Sequence, residues 1–197
     1  MSLGLVAGAT GYLGREVLRQ LKERGYWVRA LERDPRKIEP IRHWVDDTFV
    51  GDLTQPGTLA GSCDGIEIVF SSAGLSVSAR RQKDRASFGT VDYQGNKNLL
   101  DVAVKASVKK FIYVSVFGHE VFGHLEYVTA HEDFVKALQG SGLDYAIIHP
   151  TAYFSVFREL YLPSATPGRA VILGEGAKRI NPIHEADLAE VCVEPRG

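Results

Sequence analysis

Near the start of the chain an apolar run, Leu3-Gly-Leu-Val-Ala7, stops at Gly8, and Gly11 and Gly14 follow at intervals of three. From Gly11 to about Arg24 the periodicity is helical, with Val17, Leu18 and Leu21 on one face and Gly25 as the stop. Few local patterns restrict a fold so strongly. A glycine at position 8 permits a tight turn out of a buried strand. One at 11 lets the backbone approach a ligand with no Cβ in the way, and one at 14 lets helix and strand pack closely. The free N–H groups and the positive end of the helix then form a receptor for a diphosphate. It is the strand–turn–helix setting that gives such a glycine series its meaning.

The same alternation continues along the chain. Strands are expected over residues 26–31, 47–50, 66–71, 111–116 and 143–148. Helices are expected over residues 91–107 and 126–139, with a short one at 56–62 that has Pro in its first turn. Leu99, Leu100 and Ala103 face the sheet from the first of these, and Tyr127, His131, Phe134, Val135 and Leu138 from the second. Strands that alternate with helices call for right-handed crossovers and a parallel sheet covered on both faces. The expected fold is therefore α/β, a doubly wound parallel sheet of the Rossmann kind over residues 1–150. Residues 151–197 form a looser, partial substrate-side segment on the same domain. Pro163, Pro167 and Gly168 mark a loop there, residues 170–173 a short strand and 183–193 one more helix. The stop at Gly197 leads to the expectation of a fragment with an open substrate side and weak turnover.

Composition narrows the function. The 197 residues carry 23 Lys and Arg against 24 Asp and Glu, a net charge of -1. Such a balance argues against a nucleic-acid or anionic-membrane binder. No apolar run approaches the roughly 20 residues needed to span a bilayer, and no signal-peptide pattern follows Met1. Cys63 and Cys192 have no metal or redox spacing and read as free thiols of a reducing, cytoplasmic setting. His119 and His124 have no convergent Cys, Asp or Glu at ligand spacing, so no metal is expected. Arg80, Arg81, Lys83 and Arg85 form a basic run, read as a solvated loop or as a lid over an anionic ligand.

An ordered series of segments now stands out: Gly8-x-x-Gly11-x-x-Gly14, Val28-Arg-Ala-Leu-Glu-Arg33-Asp-Pro, Gly51-Asp52-Leu53, Asp92-Tyr-Gln-Gly-Asn96, Phe111-Ile-Tyr-Val-Ser115 and Asn181-Pro-Ile-His184. Over nearly the whole chain this series resembles the atypical short-chain dehydrogenase/reductases, and within them the NmrA-like, NAD(P)H-binding group. The resemblance implies a nicotinamide dinucleotide lying across the carboxyl ends of the strands. It places the cofactor on Gly8, Thr10, Gly11, Tyr12, Leu13 and Gly14, on Glu32 and Arg33, on Asp52 and Leu53, and on Ser71, Ser72, Ala73 and Gly74. Glu32 stands where a carboxylate would hold a ribose diol, and Arg33 where an arginine would take a 2′-phosphate. NADP is favoured, with NAD the alternative. Asp52 is either an adenine contact or a turn cap.

The superfamily helps hydride transfer with a Ser and a Tyr-x-x-x-Lys pair. Ser115 and Tyr127 match, while His131 stands where the lysine would be. A neutral imidazole gives no steady positive charge, so tyrosine activation weakens. Tyr127 and His131 could equally be inert groups facing the sheet, and Ser115 a strand end. The resulting expectation is an NADP-dependent oxidoreductase acting on a small carbonyl or quinone-like substrate. Its rivals are a non-catalytic redox-sensing regulator that docks on a protein partner, and an NAD-dependent nucleotide-sugar epimerase. A homodimer is compatible with each.

Overall fold

The structure, a computed structural model, describes residues 2–75, 87–161, 175–177 and 179–194. Six parallel strands form one sheet: β1 (Leu3–Ala7), β2 (Trp27–Glu32), β3 (Asp47–Val50), β4 (Ile68–Ser71), β5 (Lys110–Val114) and β6 (Asp144–Ile148). Their order is β3-β2-β1-β4-β5-β6, so the chain reverses its direction of winding between β1 and β4. Ligands of open α/β sheets bind in the crevice at such a reversal.

Side-chain alternation explains the two cores. In β1, Val6 faces one side of the sheet while Leu5 and Ala7 face the other. In β5, Ile112 and Val114 share the side of Val6, and Phe111 and Tyr113 the side of Leu5. The first side is covered by α1 (Tyr12–Glu23) and α6 (Glu185–Val193), through Val17, Leu18, Leu21, Leu188 and Cys192. The second is covered by α2 (Asn96–Lys105) and α4 (Glu126–Gln139), through Leu99, Leu100, Phe134 and Leu138. The expected 126–139 helix thus forms with those bounds. Its buried stripe is Val128, Ala130, His131, Phe134, Val135 and Leu138, and Tyr127 is only half-buried.

Local chemistry moved several boundaries. β4 begins at Ile68 rather than 66 because the Ile66 amide bonds back to the Cys63 carbonyl in a turn. The expected 91–107 helix opens as a π-helical segment, Gly89–Gly95, that runs directly into α2, which ends at Lys105. A ten-residue 3-10 segment, Pro35–Trp44, and two helices, α3 (His119–Phe122) and α5 (Phe154–Tyr161), were not anticipated. The basic run at 80–85, the loop at 163–168 and the expected strand at 170–173 lie outside the described residues.

Candidate functional site

The glycine turn is built as its spacing demands. Gly8 has φ +81°, and a Cβ there would lie 3.0 Å from the Ser72 carbonyl and the Ala73 amide. Gly8 therefore takes a left-handed conformation and also lets β1 and β4 end side by side. A Cβ on Gly14 would lie 2.1 Å from the Gly8 carbonyl oxygen, so only glycine lets α1 rise this close to the turn. The turn closes through the Gly11 amide, which donates to the Gly8 carbonyl at 3.0 Å.

Helix α1 then starts with no side-chain cap at Gly11 and no acidic residue in its first turn. Both omissions leave its positive end to an outside acceptor. A cavity of about 730 Å³ opens there, within the size range of small-molecule sites. Its walls include Gly8, Thr10, Gly11, Tyr12, Leu13, Gly14, Glu32, Arg33, Asp52, Leu53, Ser72, Ala73, Gly74, Ser115, Tyr127 and His131. Ser71 is the expected contact that stays out of it. Its buried hydroxyl donates to Asn96 Oδ1 at 2.5 Å and supports the wall from behind.

On the β2 side, the Thr10 hydroxyl donates to Glu32 Oε2 at 2.7 Å, and Glu32 Oε1 accepts from the amides of Arg33 and Asp34 at 3.0 and 3.2 Å. Arg36 is held bidentate by Asp34, with both contacts at 2.9 Å. Arg33 and Lys37 are exposed on the cavity rim and form no ion pair among the described residues. Asp52 caps its turn, with Oδ1 accepting from the Thr54 amide and hydroxyl at 2.8 Å, and it lines the cavity as well.

On the β5 side the sequence left several groups unread. Asp92 is fully buried and borders the cavity. Its Oδ2 accepts from the Leu75 amide at 3.1 Å, and its Oδ1 stands 3.3 Å from His131 Nε2. A Cβ on Gly74 would lie 2.5 Å from Asp92 Oδ1, so that glycine makes room for a carboxylate. Asn96 locks the arrangement by donating to the carbonyls of Ala73 (3.0 Å) and Asp92 (2.8 Å). Behind His131, the Tyr113 hydroxyl meets Nδ1 at 2.7 Å. Tyr127 stacks edge-on against His131, their ring centroids 4.7 Å apart. Burial, and then the Asp92 charge, push its phenol up to about 12. Burial likewise raises the Tyr153 phenol, which also lines the cavity.

Asp92 Oδ1, Ser115 Oγ and His131 Nε2 are all buried without a hydrogen-bond partner, and all belong to residues of this cavity. Such orphans are costly in a closed interior and ordinary where a polar ligand completes them. No local spacing announced Asp92 and Tyr113, which reach His131 through space from different elements. Among the described residues no group of three His, Cys, Asp or Glu side chains could hold a metal ion. No helix among them is long and apolar enough to cross a membrane.

Known proteins resemble this chain throughout. It is 33% identical over 150 residues to the photosystem II assembly factor Ycf39 of Cyanophora paradoxa, covering 76% of the chain and 45% of that relative. It is 30% identical over 195 residues to the same factor of Cyanidium caldarium, covering 98% of the chain and 61% of that relative. The chain therefore spans about half the length of these curated relatives. Its fold matches the NADPH complex of an NADPH-dependent quinone oxidoreductase of Escherichia coli with a TM-score of 0.77. The identity there is 21%, covering 98% of this chain and 65% of the other. The sequence pattern of a family described as NAD(P)H-binding matches residues 8–195. That match opens on Gly8, the residue that shapes the turn beneath the uncapped helix, and the chain belongs to the NAD(P)H-binding family.

Proposed function

We propose that this chain is the dinucleotide-binding body of an NADP-dependent oxidoreductase that reduces a small carbonyl or quinone-like acceptor. The observation that carries the reading is the uncapped start of α1 opening on a cavity of dinucleotide size, with three unpartnered polar atoms on its far wall. The amides of the first α1 turn would take the diphosphate. Arg33 and Lys37, without ion-pair partners among the described residues, would take a 2′-phosphate, because Glu32 is already engaged by Thr10 and two amides. Ser72, Ala73 and Gly74 would border the central sugar.

When bound, the nicotinamide supplies a hydride. The chain supplies the remainder. Ser115 would donate its free hydroxyl to the acceptor oxygen and orient it. Tyr127, its phenol raised to about 12, stays protonated at neutral pH. It suits the role of acid, giving its proton to the oxygen as the carbon or ring takes the hydride. His131 would bridge Tyr127 and the sugar.

A second reading is a dinucleotide-dependent assembly or regulatory protein. It draws on His131, which replaces a fixed cation with an imidazole, and on the assembly-factor relatives. One set of measurements separates the two. Calorimetric titration with NADPH and NADH measures binding, and a carbonyl and quinone panel measures NADPH oxidation in the parent, Ser115→Ala and Tyr127→Phe. Turnover lost in both variants with binding retained supports the enzyme. Tight binding with no turnover on any acceptor supports the regulator.

A further inference from the structure

The cavity is electrically lopsided. Among the described residues the only Lys and Arg side chains that line it are Arg33 and Lys37, both at the β2 end. At the β5 end the walls include Val91, Val114, Tyr127, Tyr153 and Val156, and the carboxylate there is Asp92. The segment from Ser115 to Tyr127 adds Glu120 and Glu126 and has no Lys or Arg. Lys136 and Arg158, the nearest cations along the chain, are not cavity residues, and Lys136 is paired with Asp133 at 3.2 Å. This end also carries an apolar face. Of the ten large apolar side chains exposed among the described residues, five belong to the two segments that leave β5 and β6 here: Phe117, Val121, Phe122, Leu125 and Phe154. Such side chains scattered singly are ordinary, but a cluster beside a cavity marks a binding surface.

Main-chain bonds hold these side chains next to Ser115. The Ser115 amide donates to the Ile148 carbonyl at 2.8 Å and the Phe117 amide to the Pro150 carbonyl at 3.2 Å, so the pairing of β5 with β6 runs on past both strands. Alternation then puts Phe117 on the face of Ser115. Phe122 folds back onto the same strand exit. A Cβ on Gly118, whose φ is +93°, would lie 3.0 Å from its ring. Phe154 stands between two cavity residues, Tyr153 and Ser155, and its amide donates to the Ile183 carbonyl at 3.2 Å. We propose that this face is the apolar arm of the acceptor site, and that it takes the uncharged, hydrocarbon-substituted body of a quinone whose carbonyl oxygen meets Ser115. The proposal rests on the dinucleotide-dependent reductase reading of the cavity. The quinone gains the hydride and one proton and leaves as the hydroquinone, and NADPH leaves as NADP+. An anionic acceptor, such as a nucleotide sugar or a carboxylate, would bring its charge to Asp92, Glu120 and Glu126 with no cation lining that end. A hydrocarbon substituent instead takes the rings of Phe117, Phe122 and Phe154 out of water.

The test uses the full chain and three quinones built on one ring system: 2-methyl-1,4-naphthoquinone, the same ring with a ten-carbon alkyl chain, and 1,4-naphthoquinone-2-sulfonate. Calorimetry with NADP+ bound gives their affinities, and NADPH oxidation gives kcat/KM. The alkylated quinone should bind about 10-fold or more tighter than the methyl compound, since each fully buried CH2 is worth up to about 4-fold. The sulfonate should bind about 10-fold more weakly than the methyl compound, the cost of a charge set among carboxylates. Phe117→Ser and Phe154→Ser should each cut the alkyl-over-methyl ratio by about 3-fold or more, and Phe117→Leu should keep most of it. Val104→Ser, at an exposed apolar position of α2 outside the cavity, should leave that ratio at the parent value, which separates the arm from general adsorption. Three results would each overturn the arm while NADPH binding keeps the dinucleotide reading intact: no gain from the alkyl chain, a sulfonate bound as tightly as the methyl compound, or a ratio unchanged in both serine variants. A dimer in sedimentation that Phe117→Ser dissociates would hand the face to a second copy of the chain and overturn it too. If NADPH does not bind the parent, the dinucleotide reading falls and the proposal falls with it.

Discussion

The Thr10 hydroxyl donates to the Glu32 carboxylate across 2.7 Å, tying the glycine turn to the end of β2. With its second oxygen accepting from the Arg33 and Asp34 amides, Glu32 is a brace of the turn. The neighbouring Arg33 guanidinium is exposed on the rim and forms no ion pair among the described residues. Arg33→Ala should therefore weaken NADPH binding by roughly 10-fold, the scale of a lost charge-assisted contact to phosphate, and leave NADH nearly unchanged. Calorimetry with both nucleotides checks this. An equal loss for both would return the ribose contact to Glu32.

Gly11 and Gly14 should separate binding from folding. A Cβ on Gly14 would collide with the Gly8 carbonyl at 2.1 Å and with Ala9 Cα at 2.9 Å, backbone atoms that cannot step aside. Gly14→Ala should destabilise the fold by about 3 kcal/mol or more, read from urea unfolding. A Cβ on Gly11 meets only the Gly8 carbonyl, at 3.2 Å, and the backbone there is extended at φ -71° and ψ 169°. Gly11→Ala should cost no more than about 1 kcal/mol of stability yet lower dinucleotide affinity about 10-fold or more, because its methyl group occupies the approach to the diphosphate. Unimpaired binding by Gly11→Ala would move the diphosphate away from this turn.

Asn96 makes three hydrogen bonds from a fully buried position, to the Ser71 hydroxyl and to the carbonyls of Ala73 and Asp92. Asn96→Ala would leave a hydroxyl and two carbonyls without partners where water has little access. A loss of about 3 kcal/mol is expected in urea unfolding, and Asn96→Asp should cost at least as much, because it buries an acceptor oxygen against the carbonyls of Ala73 and Asp92. A loss below about 1 kcal/mol would mean that water replaces the amide there.

What could be read before folding follows from how far apart the deciding residues lie. α4 was legible to its ends because Tyr127, His131, Phe134, Val135 and Leu138 repeat at helical intervals and Gly140 stops them. β3 was legible because Gly51 and Asp52 bound it. The glycine turn was legible because its three demands fall within seven residues. Pro35–Trp44 was not, because its two prolines and scattered apolar residues give no period. His131 was legible from its spacing to Tyr127, but its partners were not: Asp92 and Tyr113 are 21 residues apart and both reach it only through the fold, β5 sending its odd-numbered side chains toward α4. The helix after Pro150 was hidden for a similar reason, since its entry is set by the bridge between Tyr153 and Ile183, 30 residues on.

The groups buried as neutral acids predict how the fold responds to alkali. Burial pushes the Cys63 thiol up to about 11 and the Cys192 thiol up to about 12, from an ordinary 9.0, and holds the Tyr127 phenol near 12 against an ordinary 10.0. Each group holds its proton more tightly folded than unfolded. The unfolded chain is therefore the better proton donor, and stability falls as pH rises. The contribution is complete below about pH 9 and is lost from there through pH 11 to 12, at up to about 1.4 kcal/mol per pH unit for each titrating group. The melting temperature should thus be flat from neutral pH to about 9 and fall steeply above it. Cys192→Ala should flatten that fall, since it deletes the thiol from the core between β5 and α6. In the native state neither thiol should react with an aromatic disulfide reagent at pH 8, and both should react once urea unfolds the chain. Rapid labelling of Cys192 in the folded protein would show that the sheet face beneath α6 opens locally, at a free energy well below that of global unfolding.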